Sequence, residues 1–167
     1  NHFRTFITRE DIAYIASLGF DHVRVPVDYN VLEDEDGSIL ETGFGYLRDC
    51  FSWCSEYGLH MLIDLHECFG YSFDPLKKDM DRSRFFYDDV LQTRFLNLWK
   101  RIATEFRDYP DQVAFEPLNE VVLWEVSDAW NTDACLGAKK EHEALTRELR
   151  ARLLDINPAI HVLSTGC

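Results

Sequence analysis

An α/β fold built on a parallel sheet is what this sequence predicts, on three observations. Short apolar runs alternate with longer segments of helical periodicity along the whole chain. Each run alternates with period two, aliphatic residues on one side and Arg, Asp, His or Glu on the other. Ionisable residues collect at the ends of the runs, and the C-terminal ends of parallel strands are where α/β enzymes keep their chemistry.

The elements follow in order. Thr8-Arg9-Glu10-Asp11 resembles a capping box with Asp in place of Glu, and Ile12, Ile15, Ala16 and Leu18 continue at helical spacing to a stop at Gly19. His22 to Tyr29 reads as a strand. An acidic turn, Glu33 to Gly37, leads to a helix around Tyr46 to Tyr57 closed by Gly58. Leu59 to His66 is the next strand, followed by a long polar connection from Glu67 to Asp88. A helix over about Val90 to Phe106 precedes the strand Val113 to Glu120. A Trp-containing acidic loop then runs from Val121 to about Gly137. The last helix spans roughly Ala138 to Ile156 and stops before Pro158, and Ile160 to Thr165 is the last strand. Both long loops leave strand C-terminal ends, so both open over one face.

A chain of 167 residues is one domain by length, and its net charge of -13 excludes nucleic acid as a partner, because phosphates need basic patches. Four Trp and seven Tyr then serve the core and carbohydrate stacking. The five cysteines lack zinc-site spacing, and Cys50 and Cys54 read as buried thiols on one helix face. No signal peptide and no apolar run near ~20 residues is present, so a soluble chain with no membrane partner is expected.

Strand alternation gathers the chemistry. Arg24 and Asp28 share one face of the first strand, and Asp64 and His66 share that face of the second. Glu116 and Glu120 share it on the third, where Asn119 precedes Glu120. Arg24 is placed to neutralise Glu116 or Glu120, since a buried charge without a partner is untenable. A structural ion pair explains Arg24 equally well. His60 reads as a satisfied histidine at the far end of its strand, and Asp64 as an organiser of its neighbours. Glu120 is the strongest candidate for chemistry.

The stretches Gly19-Phe20-Asp21-His22-Val23-Arg24-Val25-Pro26-Val27-Asp28-Tyr29, Ile63-Asp64-Leu65-His66 and Phe115-Glu116-Pro117-Leu118-Asn119-Glu120 resemble glycoside hydrolase family 5, the cellulase-type (β/α)8 TIM barrels. The resemblance covers essentially the whole chain and makes these stretches barrel strands two to four, with Ile160 to Thr165 the fifth. It implies retaining hydrolysis of β-1,4-linked polysaccharide of the endoglucanase type, with no metal or cofactor. Glu120 would be the acid/base and Asn119 the contact to the sugar 2-hydroxyl. Arg24 and His66 would orient carboxylate and sugar, supported by Glu116 and Asp64. Tyr29, and Trp124 with Trp130, would touch or stack on the glucan. Val121 stands where many members have Pro.

A complete barrel takes about 250 residues. Residues 1–167 are therefore expected to form a single partial barrel, a half-barrel of four parallel strands lacking the first strand and the C-terminal half. The nucleophile of the family would lie on an absent strand, and the parent enzyme would be secreted. Open sheet edges predict a homo-oligomer. Two other readings compete. One is an inert half-barrel that binds carbohydrate or self-assembles. The other is a metal hydrolase using His60, Asp64, His66 and Glu120, which is weaker because His60 lies about 20 Å from the strand tip at ~3.3 Å per residue.

Overall fold

The computed structural model describes residues 5–72, 84–121 and 133–163, with backbone alone at 133–138. Its elements are α1 (Arg9–Ser17), β1 (His22–Asp28), a single helical turn α2 (Tyr29–Leu32), α3 (Glu41–Glu56), β2 (His60–Glu67), a 3-10 turn (Arg84–Phe86), α4 (Asp89–Glu105), β3 (Val113–Glu116), α5 (Asp133–Ile156) and β4 (His161–Val162). The four strands form one parallel sheet in the order β1-β2-β3-β4. A sequential order, with no reversal of direction across the sheet, is that of a barrel wall and not of a doubly wound sheet.

The predicted capping box forms: the Thr8 side chain takes the Asp11 backbone N–H, and Asp11 takes the Thr8 backbone N–H at 2.8 Å. Asp88 caps α4 by accepting from the N–H groups of Val90 and Leu91. The buried residues of α4, among them Leu91, Phe95, Leu98, Trp99 and Ile102, follow the helical repeat and make the stripe that packs into the core. In α5, Leu145, Leu149 and Leu153 do the same. Cys50 and Cys54 are buried on α3 as free thiols, as their spacing predicts.

Pairing register fixes the two faces. Val25 lies opposite Ile63, Ile63 opposite Phe115, and Phe115 opposite Val162. These aliphatic rows and their neighbours Met61, Leu65 and Val113 pack under the helices. Arg24 lies opposite Leu62, and Asp64 opposite Glu116, on the other face. A register shift between Val27 and Asp28 brings Asp28 opposite Glu67 and leaves His66 as the extra residue on β2.

Several boundaries differ from the sequence expectation, among them β1, which stops at Asp28, and β4, which starts at His161. β3 stops at Glu116, because Pro117 has no N–H for the ladder. Glu120 therefore sits on a turn beyond the strand and not within it. β2 runs one residue further, to Glu67. α3 starts at Glu41, five residues early: Gly43 and Gly45 lie within the helix, and the backbone of Gly43 abuts the Val31 carbonyl. α5 starts at Asp133 and passes through Gly137, which reads as a stop.

Candidate active site

Arg24 is the hub of the charged face. Its Nε donates to Glu116 Oε2 at 2.7 Å, and its Nη2 donates to Glu116 Oε1 at 2.9 Å and to Asn119 Oδ1 at 2.8 Å. The same Nη2 stands 3.0 Å from Asp64 Oδ2. Asp64 Oδ2 also accepts from His66 Nδ1 at 2.7 Å. One guanidinium thus ties β1 to β2, to β3 and to the turn after β3. The two-pronged bond to Glu116 uses the planar fork that only Arg provides.

These contacts settle the polarity of two neighbours. A guanidinium only donates, so the Asn119 carbonyl faces Arg24 and the Asn119 NH2 group points elsewhere as a donor. Asp64 Oδ2 takes the proton of His66 Nδ1, so Nε2 is the ring nitrogen on the side away from Asp64.

The electrostatics follow from geometry. The Glu116 hydrogen bond chiefly holds the Arg24 guanidinium above its ordinary value, against partial burial, and the charges of Asp64, Glu116 and Glu120 add to it. Burial pushes the Asp64 carboxyl above the usual aspartate value, against the His66 hydrogen bond and the charge of Arg24. Asp64 has 0% side-chain exposure, and both donors converge on Oδ2. Oδ1 is buried with no hydrogen-bond partner among the described residues. Burial of the whole carboxylate thus outweighs the two donors gathered on Oδ2.

Glu120 stands exposed beside this cluster, on the turn that follows β3. Its φ of 38° is positive, a conformation that costs a residue with a Cβ about 1–2 kcal/mol. The turn is gripped from its backbone. Trp99 Nε1 donates to the Pro117 carbonyl at 3.0 Å, the Asn119 N–H donates to the Leu65 carbonyl at 3.3 Å, and the Tyr71 hydroxyl donates to the Glu120 carbonyl at 2.9 Å.

Of the predicted site residues, Arg24, Asp64, His66, Glu116 and Asn119 come together by direct contact, with Glu120 at their rim. Tyr29 opens α2 just past β1, half-buried, with its ring edge-on to Phe69 at 5.6 Å. Trp124 and Trp130 lie outside the described residues. His60 is at the opposite strand end, with Nδ1 3.0 Å from the Asp21 carbonyl. Sequence reasoning missed Tyr71, Trp99 and the pair Glu33–Arg94, in which Arg94 donates to buried Glu33 at 2.8 Å and lies over the Phe69 ring at 3.8 Å. A cavity of about 950 Å³ runs along the outer edge of β1, lined by Val25, Val27, Tyr46, Leu47 and Trp53 and reaching Pro26, Asp28 and His66. Arg24, Asn119 and Glu120 do not line it, so the charged cluster has its own open face and shares only the His66 wall.

A family model described as cellulase, glycosyl hydrolase family 5, matches residues 1–159. The chain belongs to glycosyl hydrolase family 5. Among family 5 relatives, Endoglucanase C of Acetivibrio thermocellus is 42% identical over 132 residues, covering 78% of this chain and 37% of its own length. Cellodextrinase A of Ruminococcus flavefaciens is 40% identical over 134 residues, covering 79% of this chain and 39% of its own. The chain thus spans well under half the length of these relatives. The crystal structure of a rutinosidase from Aspergillus niger shares the fold, with a TM-score of 0.79 at 20% identity over 97% of this chain and 48% of that one. The partial-barrel expectation agrees with this match. No helix among the described residues is long and apolar enough to cross a membrane.

Proposed function

We propose that the protein hydrolyses β-1,4-glycosidic bonds in glucan in the manner of an endoglucanase, with Glu120 as the acid/base. The observation that carries this is the Arg24 hub, which binds Glu116, Asp64 and Asn119 together and leaves Glu120 exposed next to them. The names of two relatives, an endoglucanase and a cellodextrinase, support a β-glucan substrate.

In this reading Glu120, as the carboxylic acid, donates its proton to the glycosidic oxygen while the C–O bond breaks. A second carboxylate captures the sugar as a covalent intermediate, and Glu120 then takes a proton from the water that releases it. Glu116 does not serve as that second group, because both its oxygens are held by Arg24. The family resemblance assigns it to a strand outside this sequence. The Asn119 NH2 group, left over by the carbonyl that Arg24 holds, donates to the 2-hydroxyl of the sugar at the cleavage point, an interaction that tightens in the transition state. His66 accepts a sugar hydroxyl through Nε2, and Tyr29 borders the sugar.

The test is reducing-sugar release from carboxymethylcellulose by the gene product that carries this sequence and by its Glu120→Gln variant. Loss of a general acid costs about 10²–10⁴-fold, and that is the expected drop. Equal background from both proteins favours the second reading, an inert half-barrel that binds carbohydrate or self-assembles. The observation behind that reading is the edge of β1, unpaired among the described residues and flanked by the 950 Å³ cavity.

A further inference from the structure

The Tyr71 side chain is 1% exposed. Its ring is edge-on to Phe86 at 5.5 Å and tilted against Phe85 at 6.2 Å. Phe86 in turn stands edge-on to His142 of α5 at 6.2 Å, and Phe85 edge-on to Phe95 of α4 at 5.4 Å. A ring seated on that many aromatic edges has little freedom to move. Its hydroxyl therefore has a fixed position, and it ends on the Glu120 carbonyl.

Glu120 needs such a fixture. Its positive φ is a conformation that an L residue leaves unless its surroundings hold it. Trp99 anchors the near end of the turn at Pro117, and the Tyr71 hydroxyl grips the carbonyl of Glu120 itself. Relaxing φ turns Glu120 about its N–Cα bond, which carries the carbonyl off the Tyr71 hydroxyl and swings the side chain with it.

We propose that Tyr71 is a positioning residue for proton transfer: its hydroxyl holds Glu120 in the twisted backbone conformation that aims the carboxyl at the glycosidic oxygen. This inference rests on the assignment of Glu120 as the acid/base. Without the hydroxyl, the carboxyl samples a wider arc, and small misplacements of a reacting group cost rate steeply. The loss must then follow the need of the leaving group for a proton. A dinitrophenolate departs unprotonated, whereas a sugar alkoxide does not.

The experiment measures kcat/KM, which reports the first bond-breaking step, for cellotetraose and for dinitrophenyl cellobioside. It uses the full gene product as wild type, Tyr71→Phe and Glu120→Gln, each checked for folding by circular dichroism. Tyr71→Phe is expected to lose about tenfold on cellotetraose and no more than about twofold on the aryl substrate, a fraction of the full effect of a general acid. Glu120→Gln is expected to show the same selectivity more strongly. If Tyr71→Phe does not fold, Phe86→Leu loosens the seat of the ring while keeping the hydroxyl, and a smaller loss confined to cellotetraose is expected. Equal losses on both substrates, or none, while Glu120→Gln discriminates, overturn the role of Tyr71 alone. A Glu120→Gln variant that does not discriminate overturns the acid/base assignment and this inference with it.

Discussion

Replacing Arg24 by Met strips Glu116 of two charged donors, Asp64 of its cation and Asn119 of the partner that fixes its amide. Glu116 is buried while the guanidinium is partly open to water, so solvent offsets part of the loss. The expected cost is about 2–3 kcal/mol, read from urea unfolding. A second prediction concerns Glu33, which is 3% exposed. Burial raises its carboxyl above the ordinary glutamate value, against the hydrogen bond and charge of Arg94. The folded state thus keeps this proton to a higher pH than the unfolded chain does. The contribution is full below the unfolded value and is lost as pH rises through the folded one. The stability of wild type relative to Glu33→Gln is therefore expected to be greater near about pH 4 than near about pH 7, in urea titrations across that range. Arg24, Asp64, His66 and Glu116 were legible in the sequence because a period of two admits one arrangement of faces. Tyr71 and Arg94 were not: their partners lie 49 and 61 residues away, and no local pattern encodes such a meeting.

Gly43 shows how an element can defeat a propensity. In an exposed helix interior Gly→Ala stabilises by about 1 kcal/mol. Here a Cβ at residue 43 would stand 1.8 Å from the Val31 carbonyl oxygen, so α3 packs against the turn of α2 only through a missing side chain. Gly43→Ala is expected to destabilise by about 1–3 kcal/mol, as overpacking does, with a lowered Tm in thermal unfolding. The same contact accompanies the start of α3 at Glu41, ahead of the expected Tyr46: Gly43 lies within the helix as a packing surface. β3 erred the other way. Its alternation continues through Pro117 to Glu120, although proline ends the ladder and the left-handed Glu120 turns the chain. Glu120 therefore lies just past the strand, on a turn held by Trp99 and Tyr71.

At the scale of the whole molecule, the parallel sheet and its division into an aliphatic and a charged face were readable from periodicity, and the sequential strand order from the family resemblance. The position of the large cavity was not, because it depends on how α3 lies along β1. The β1 edge is unpaired among the described residues and Tyr14, Leu18 and Phe20 are exposed, so self-association is a prediction for this 167-residue chain. Light scattering across a dilution series is expected to give a mass above 19.6 kDa that falls on dilution; a constant monomer mass contradicts it. The central claim, that Glu120 moves the proton, is tested most directly by chemical rescue of Glu120→Ala. With dinitrophenyl cellobioside as substrate, added azide is predicted to restore turnover and to yield the β-cellobiosyl azide, because a small anion needs no base to attack the covalent intermediate. Turnover that azide leaves unchanged, with no glycosyl azide formed, contradicts the account.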